Sequence, residues 1–302
     1  MHVRIRSRCS IAFALALAAP LFAAKSHAQL QFDELRKVHL PATTVSLAAV
    51  VFADVDADGD LDAIAVGIES HVMLNDGRGR FTRDRARIPV GQGTSLALGD
   101  VDGDGDVDIA IGDYGQNRLL LNDGKGSFAD RSSNLPQIAD PTTALALADV
   151  DGDRDLDLII ANSGLWFDTQ NRLHLNDGNG VFTDATKQLP RDSARDHALT
   201  VGDVDNDGDV DFVTAGATGS GPSQVLLYRN DGSGVFASTS GVPHIQEPTT
   251  SVVLADVDGN GHLDLVCGHG NAGLLTTHQL RLFLGDGKGS LNRPGIHGGS
   301  QT

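Results

Sequence analysis

The nonapeptide DVDGDGDVD, residues 100–108, decides how this chain is read. Aspartate occupies every odd position and Gly105 the sixth. Four relatives of it occur: DVDADGDLD from Asp54, DVDGDRDLD from Asp149, DVDNDGDVD from Asp203 and DVDGNGHLD from Asp256. Successive starts lie 46, 49, 54 and 53 residues apart, so the segment is one element of a repeat. The five copies hold 23 of the chain's 40 acidic residues, and the negative charge is therefore local rather than diffuse.

Such spacing suits a hard cation. Oxygen ligands at positions 1, 3, 5 and 9, with the backbone carbonyl of position 7 and a glycine at 6 for the sharp turn, supply the six or more oxygens that Ca²⁺ prefers. The first copy offers Asp54, Asp56, Asp58, the carbonyl of Asp60, and Asp62; the second offers Asp100, Asp102, Asp104, the carbonyl of Asp106, and Asp108. The fourth offers Asp203, Asp205, Asp207, the carbonyl of Asp209, and Asp211. Two copies depart from the pattern. The third keeps Asp149, Asp151, Asp153, the Asp155 carbonyl and Asp157, but has Arg154 where glycine belongs. A Cβ in the left-handed region costs about 1 kcal/mol, so a weaker site is expected there. The fifth keeps Asp256, Asp258 and Asp264, with Asn260 at position 5 and His262 at 7, which leaves less charge for the ion. Up to five calcium ions are expected, the third and fifth held less tightly.

Each acidic segment is followed by a second signature: LNDGRGRF ending at Phe81, LNDGKGSF at Phe128, LNDGNGVF at Phe182, RNDGSGVF at Phe236 and the weaker LGDGKGSL at Leu291. Asn-Asp-Gly with a further Gly between apolar runs marks a β-hairpin, because these residues tolerate positive φ. Every unit therefore reads as four strands, which in the second unit fall near 94–100, 107–112, 118–122 and 127–131. A repeat of about fifty residues with four antiparallel strands is the mark of a propeller blade, and blades must stack to cover both faces of each sheet. The expectation is an all-β, five-bladed β-propeller occupying residues 29–302 as one domain. Phe32-Asp33-Glu34-Leu35 followed by Leu40-Pro41 matches Phe128-Ala129-Asp130 with Leu135-Pro136, so an N-terminal strand is expected to complete the last blade and close the ring.

The loops of form DxDxDGxxD resemble those of the FG-GAP/VCBS repeat family, which bind calcium between the first two strands of propeller blades, as in the head of integrin α chains. The resemblance runs through the whole of residues 29–302. It implies calcium at the positions named above, and a role in adhesion, protein interaction or sugar binding. The chain differs from the commoner seven-bladed form in showing five units and no clear FG and GAP dipeptides.

Residues 1–28 read as an export signal: Arg4, Arg6 and Arg8 precede an apolar run from Ile11 to Ala24, and Ser26-His27-Ala28 sets small residues at the cleavage positions. The run is too short for a membrane span. A secreted, periplasmic or cell-surface protein is expected, without a membrane span. Removing the signal's four basic residues takes the net charge from −17 to −21, which repels a phosphate backbone and excludes nucleic acid as a partner. Five divalent ions would neutralise roughly half of that charge. Of two cysteines, Cys9 falls in the signal and Cys267 in an apolar strand, so disulfides cannot staple the fold and calcium takes that role.

No G-x-S-x-G elbow, H-E-x-x-H pair or phosphate-binding glycine loop occurs, and the acids are committed to the repeats. The chain therefore reads as a binding module for extracellular protein or glycan. A secreted polysaccharide-acting enzyme and a structural subunit of an envelope assembly are the alternatives. Ligand contacts are expected at the end opposite the acidic loops, from Trp166 and Phe167 in the insertion 163–170, and from Tyr114. An edge-covering role for the aromatic pair is equally compatible.

Overall fold

Between the acidic loops and the Asn-Asp-Gly turns lie runs of Val, Ile, Leu and Ala too short for helices and bounded by positive-φ residues. In the computed structural model each run is a strand. The structure describes residues 46–84, 92–163, 170–191, 195–217, 223–239, 241–242, 249–269 and 279–294. Blade 1 is β1 (Leu47–Ala53), β2 (Asp62–Gly67), β3 (His71–Asn75) and β4 (Phe81–Asp84). Blade 2 is β5 (Ser95–Gly99), β6 (Asp108–Gly112), β7 (Arg118–Asn122) and β8 (Phe128–Asp130). Blade 3 is β9 (Thr142–Ala148), β10 (Asp157–Asn162), β11 (Arg172–Asn176) and β12 (Phe182–Asp184). Blade 4 is β13 (Asp196–Gly202), β14 (Asp211–Ala217), β15 (Ser223–Asn230) and β16 (Phe236–Thr239). Blade 5 is β17 (Thr249–Ala255), β18 (Asp264–His269), β19 (Gln279–Leu284) and β20 (Arg293–Pro294). Every sheet is an antiparallel meander in chain order, and the five sheets form a β-propeller. Its first strands neighbour one another in the same order.

The core lies between blades. Strand pleating sends alternate side chains to opposite faces, and both faces of a second strand are covered, so β2, β6 and β10 are buried throughout. Ile64, Val66 and Val72 of blade 1 meet Leu96, Ile109, Ile111 and Leu120 of blade 2. Ala97, Ala110 and Leu119, on blade 2's other face, meet Leu145, Leu158 and Ile160. The seam between blades 3 and 4 holds Phe212 stacked on Tyr228 at 4.3 Å, with Phe236 edge-on. Leu265, Cys267 and Phe283 close the seam between blades 4 and 5. Burial pushes the Cys267 thiol up to about 12, against a smaller downward pull from Arg281, so at neutral pH this cysteine is an inert apolar group.

The seam that would join blade 5 to blade 1 differs from these four. Val257, whose counterparts Val55, Val101, Val150 and Val204 are fully buried, is 52% exposed. The fourth place in the last sheet is taken by β20. The N-terminal strand expected to close the ring, Phe32–Leu35, lies outside the described residues. Among the described residues no helix is long and apolar enough to cross a membrane.

His174 stands on β11 where the other blades have Met73, Leu120, Tyr228 and Phe283 before the turn, and it is only 2% exposed. Neither ring nitrogen has a hydrogen-bond partner, and burial, opposed by Asp184, lowers its pKa to about 4. The folded value lies below the unfolded one near 6.5, so acid favours the unfolded chain, which takes up a proton that the folded chain refuses. The stability this residue allows is complete above pH 6.5 and is lost as the pH falls toward 4. His174→Leu is expected to relieve roughly 2 kcal/mol of the destabilisation incurred between pH 7 and pH 5. Thermal melts of both proteins across that range test this, and parallel curves would show that His174 is not titrating.

Candidate metal centre

Each acidic nonapeptide joins the first strand of a blade to the second, and its aspartates divide the work. The ninth-position carboxylates, Asp62, Asp108, Asp157, Asp211 and Asp264, are buried at the start of the second strand. One oxygen of each accepts the N–H of the loop's second residue; for Asp108 that donor is Val101 at 3.0 Å. The other accepts the N–H at the end of the third strand, as Asn122 donates to Asp108 at 2.8 Å. Burial raises the carboxyls of Asp62, Asp108, Asp157 and Asp211 more than the two bonds lower them, to about 7 for Asp108 and Asp157 and about 6 for Asp211.

Position 1 winds the loop around itself. Asp100 accepts from Gly103 at 2.8 Å and from Gly105 at 3.0 Å. Asp149 accepts from Gly152 and Arg154 at the same two distances. Arg154 therefore keeps the glycine's geometry, with φ of 78°, and carries the expected strain of about 1 kcal/mol. Position 4 is left-handed too: Gly103, Gly152 and Gly259 take it freely, whereas Ala57 and Asn206 hold φ of 59° and 58°. Position 5 folds inward on its own loop, Asp104 accepting the Asp106 N–H at 2.9 Å. The side chain of position 7 lies against the neighbouring turn, so close to Gly124 that a Cβ there would come 2.5 Å from Asp106; His262 stands likewise beside Gly287.

What remains is a cage. Asp100, Asp102 and Asp108 each bring a carboxylate oxygen to within 4.8 Å of the others'. So do Asp149, Asp151 and Asp157; Asp203, Asp205 and Asp211; and Asp256, Asp258 and Asp264. In the first loop the group is Asp54, Asp56 and Asp58, without Asp62. Asp104, Asp153 and Asp207, and the side chains of position 7, fall outside these groups.

The donor set fits a hard cation. Asp151 Oδ1 and Asp205 Oδ1 are buried with no hydrogen-bond partner, which is costly for a carboxylate unless a positive charge faces it. Like charges gathered this closely raise one another's pKa: burial is the larger cause at Asp102 and Asp151, and the adjacent aspartates add to it. Asp205 is raised by burial as well, against the pull of Arg229.

An FG-GAP-like repeat model matches residues 100–160, 155–214 and 203–267, which together make up more than half of the chain. The chain belongs to the FG-GAP-like repeat family. No curated protein matches it. Among solved structures this FG-GAP-like chain shares its fold with a lectin of Agrocybe aegerita that recognises non-reducing terminal N-acetylglucosamine. The TM-score is 0.51 at 20% identity, over 82% of this chain. The chain spans 64% of the lectin's length.

The FG-GAP-like turns do more than reverse the chain. Asn122 Nδ2 donates to the Val55 carbonyl in blade 1's acidic loop at 2.9 Å. Asn176 reaches Val101 and Asn230 reaches Val150 in the same way, both at 2.7 Å. Each acidic loop of blades 1 to 3 is thus clasped by the next blade. Blade 5 has Gly285 in the asparagine's place, so the loop of blade 4 has no such clasp. At the opposite end of the blades Tyr114 is 71% exposed, while Trp166 and Phe167 lie outside the described residues.

Proposed function

We propose that this FG-GAP-like chain is an exported binding module, stabilised by calcium, whose ligand is a protein or a carbohydrate at a cell surface. The reading rests on one observation: a three-carboxylate group recurs in all five blades, from positions 1, 3 and 9 in four of them and from positions 1, 3 and 5 in the first. Five equivalent sites in equivalent hairpins suit one architectural task rather than catalysis. In each blade the carboxylates of positions 1, 3 and 9 would hold the ion, with Asp54, Asp56 and Asp58 in the first. Calcium supplies there the positive charge that the buried oxygens lack, and the loop's own backbone donors hold the carboxylates in place meanwhile.

With the acidic loops committed to that task, the opposite end of the blades is left for ligand. Tyr114 stands there as an exposed ring suited to stacking on a sugar. The lectin that shares the fold lends a first ligand to try. Glycan-array binding in calcium buffer, with glycans ending in N-acetylglucosamine included, is expected to give a signal that Tyr114→Ala reduces. Depolymerisation of a bound polysaccharide, abolished by one substitution at that end, would make the chain an enzyme instead.

A further inference from the structure

The fourth acidic loop, DVDNDGDVD, looks in sequence like one of the best of the five. Its surroundings are different. Before the Asn-Asp-Gly turn the blades carry Leu74, Leu121, Leu175 and Leu284, but blade 4 carries Arg229. Its guanidinium forms an ion pair through Nη2 with Oδ2 of Asp205, the third-position carboxylate of the same blade's cage. The Asp205 side chain is only 6% exposed, and its other oxygen, Oδ1, has no partner. The turn of blade 5 lies against Arg229 on its far side, and the side chain is 41% exposed. A Cβ on Gly289 would lie 3.1 Å from Arg229 Cδ and 3.2 Å from Nε, whereas the corresponding Gly180 of blade 3 faces Leu121. The same seam is the one whose loop lacks the turn-asparagine clasp, because of Gly285, and is bridged instead by Asn206 Nδ2 and His262 Nδ1 at 2.7 Å.

We propose that Arg229 is a built-in counter-cation that takes the place of calcium in the fourth cage, making this seam the least dependent on the metal. The inference rests on the calcium reading given above. A fixed positive charge in contact with a ligand carboxylate repels an incoming divalent ion and weakens its binding by about tenfold even at the dielectric of water. The same charge compensates Asp205 when no ion is present, so the seam between blades 4 and 5 stays closed at low calcium while the others loosen. The fourth site then fills last, opposite to the order that its motif suggests.

The test is calcium titration of the stripped full chain by calorimetry, beside Arg229→Leu and Arg229→Gln. Leucine is what the other blades use, and glutamine keeps a polar side chain without charge should the leucine variant fold poorly. One site is expected to tighten by about tenfold in either variant while the rest are unchanged. Without calcium the variants should melt lower than the parent, and with saturating calcium the gap should close or reverse. Isotherms identical to the parent's, with calcium clearly bound, would overturn the role of Arg229 and leave the calcium reading standing. No calcium heat from any of the three proteins would overturn both.

Discussion

Asp157→Ala is expected to lower the stability of the protein by about 2–5 kcal/mol, with or without calcium. The reason is not the lost ligand alone. Asp157 is buried and accepts the Val150 and Asn176 N–H groups, both at 2.9 Å, and alanine leaves those two donors inside the protein without acceptors. Each orphaned donor costs about 1–3 kcal/mol. For a chain of this size that corresponds to a fall of roughly 5–20 °C in melting temperature. Asp151→Ala is the control. Its Oδ1 has no partner, so alanine there should cost stability when calcium is present and little when it is absent. Calorimetric melts of the two variants, with and without calcium, separate a backbone pin from a pure ligand. Equal behaviour of the two would show that the buried carboxylates act only through the ion.

Removing calcium is the second large effect. Extracellular sites of this kind bind with Kd near 10⁻⁴–10⁻³ M, so at about 1 mM calcium each contributes roughly 0.4–1.4 kcal/mol, and five together about 2–7 kcal/mol. That is a large share of an ordinary domain's stability. Calcium-stripped protein should therefore melt well below the loaded form, and more so at pH 8 than at pH 5.5. Asp108 and Asp157, with carboxyls raised to about 7, are charged at the higher pH and largely protonated at the lower, where protons stand in for the metal. A melting temperature indifferent to stripping would remove calcium from the account of this fold.

The strands were legible because their punctuation is chemical. In blade 2 the expected limits differ from the observed ones by a residue or so, since Asp100–Asp108 and Asn122–Gly126 confine what lies between them. The aspartates of positions 1 and 3 were legible as a cage from their spacing. The pinning role of position 9 was not, because its two donors, Val101 and Asn122 in blade 2, belong to separate stretches of chain that only folding brings to the same end of the blade. The left-handed fourth position had a signal in Gly103, Gly152 and Gly259, though Ala57 and Asn206 hide it. Asn122 read as a turn former, and nothing local indicates that its amide is aimed 67 residues back in the chain. Arg229 stood in plain view, but its meaning depends on Asp205, which only folding brings beside it.

The clasps point one way. Asn122, Asn176 and Asn230 each belong to the later blade and grip a carbonyl of the earlier one. A polypeptide emerging amino end first thus presents every receptor before the hook that fits it, and blades can be added one by one like the teeth of a ratchet. Removing blade 5 would break none of these joints, because Gly285 stands there in the asparagine's place. Removing blade 1 would instead take the Val55 carbonyl from the Asn122 amide and leave it only the Val107 carbonyl of its own blade, at 3.2 Å, so the two ends of this chain are not equivalent places at which to cut.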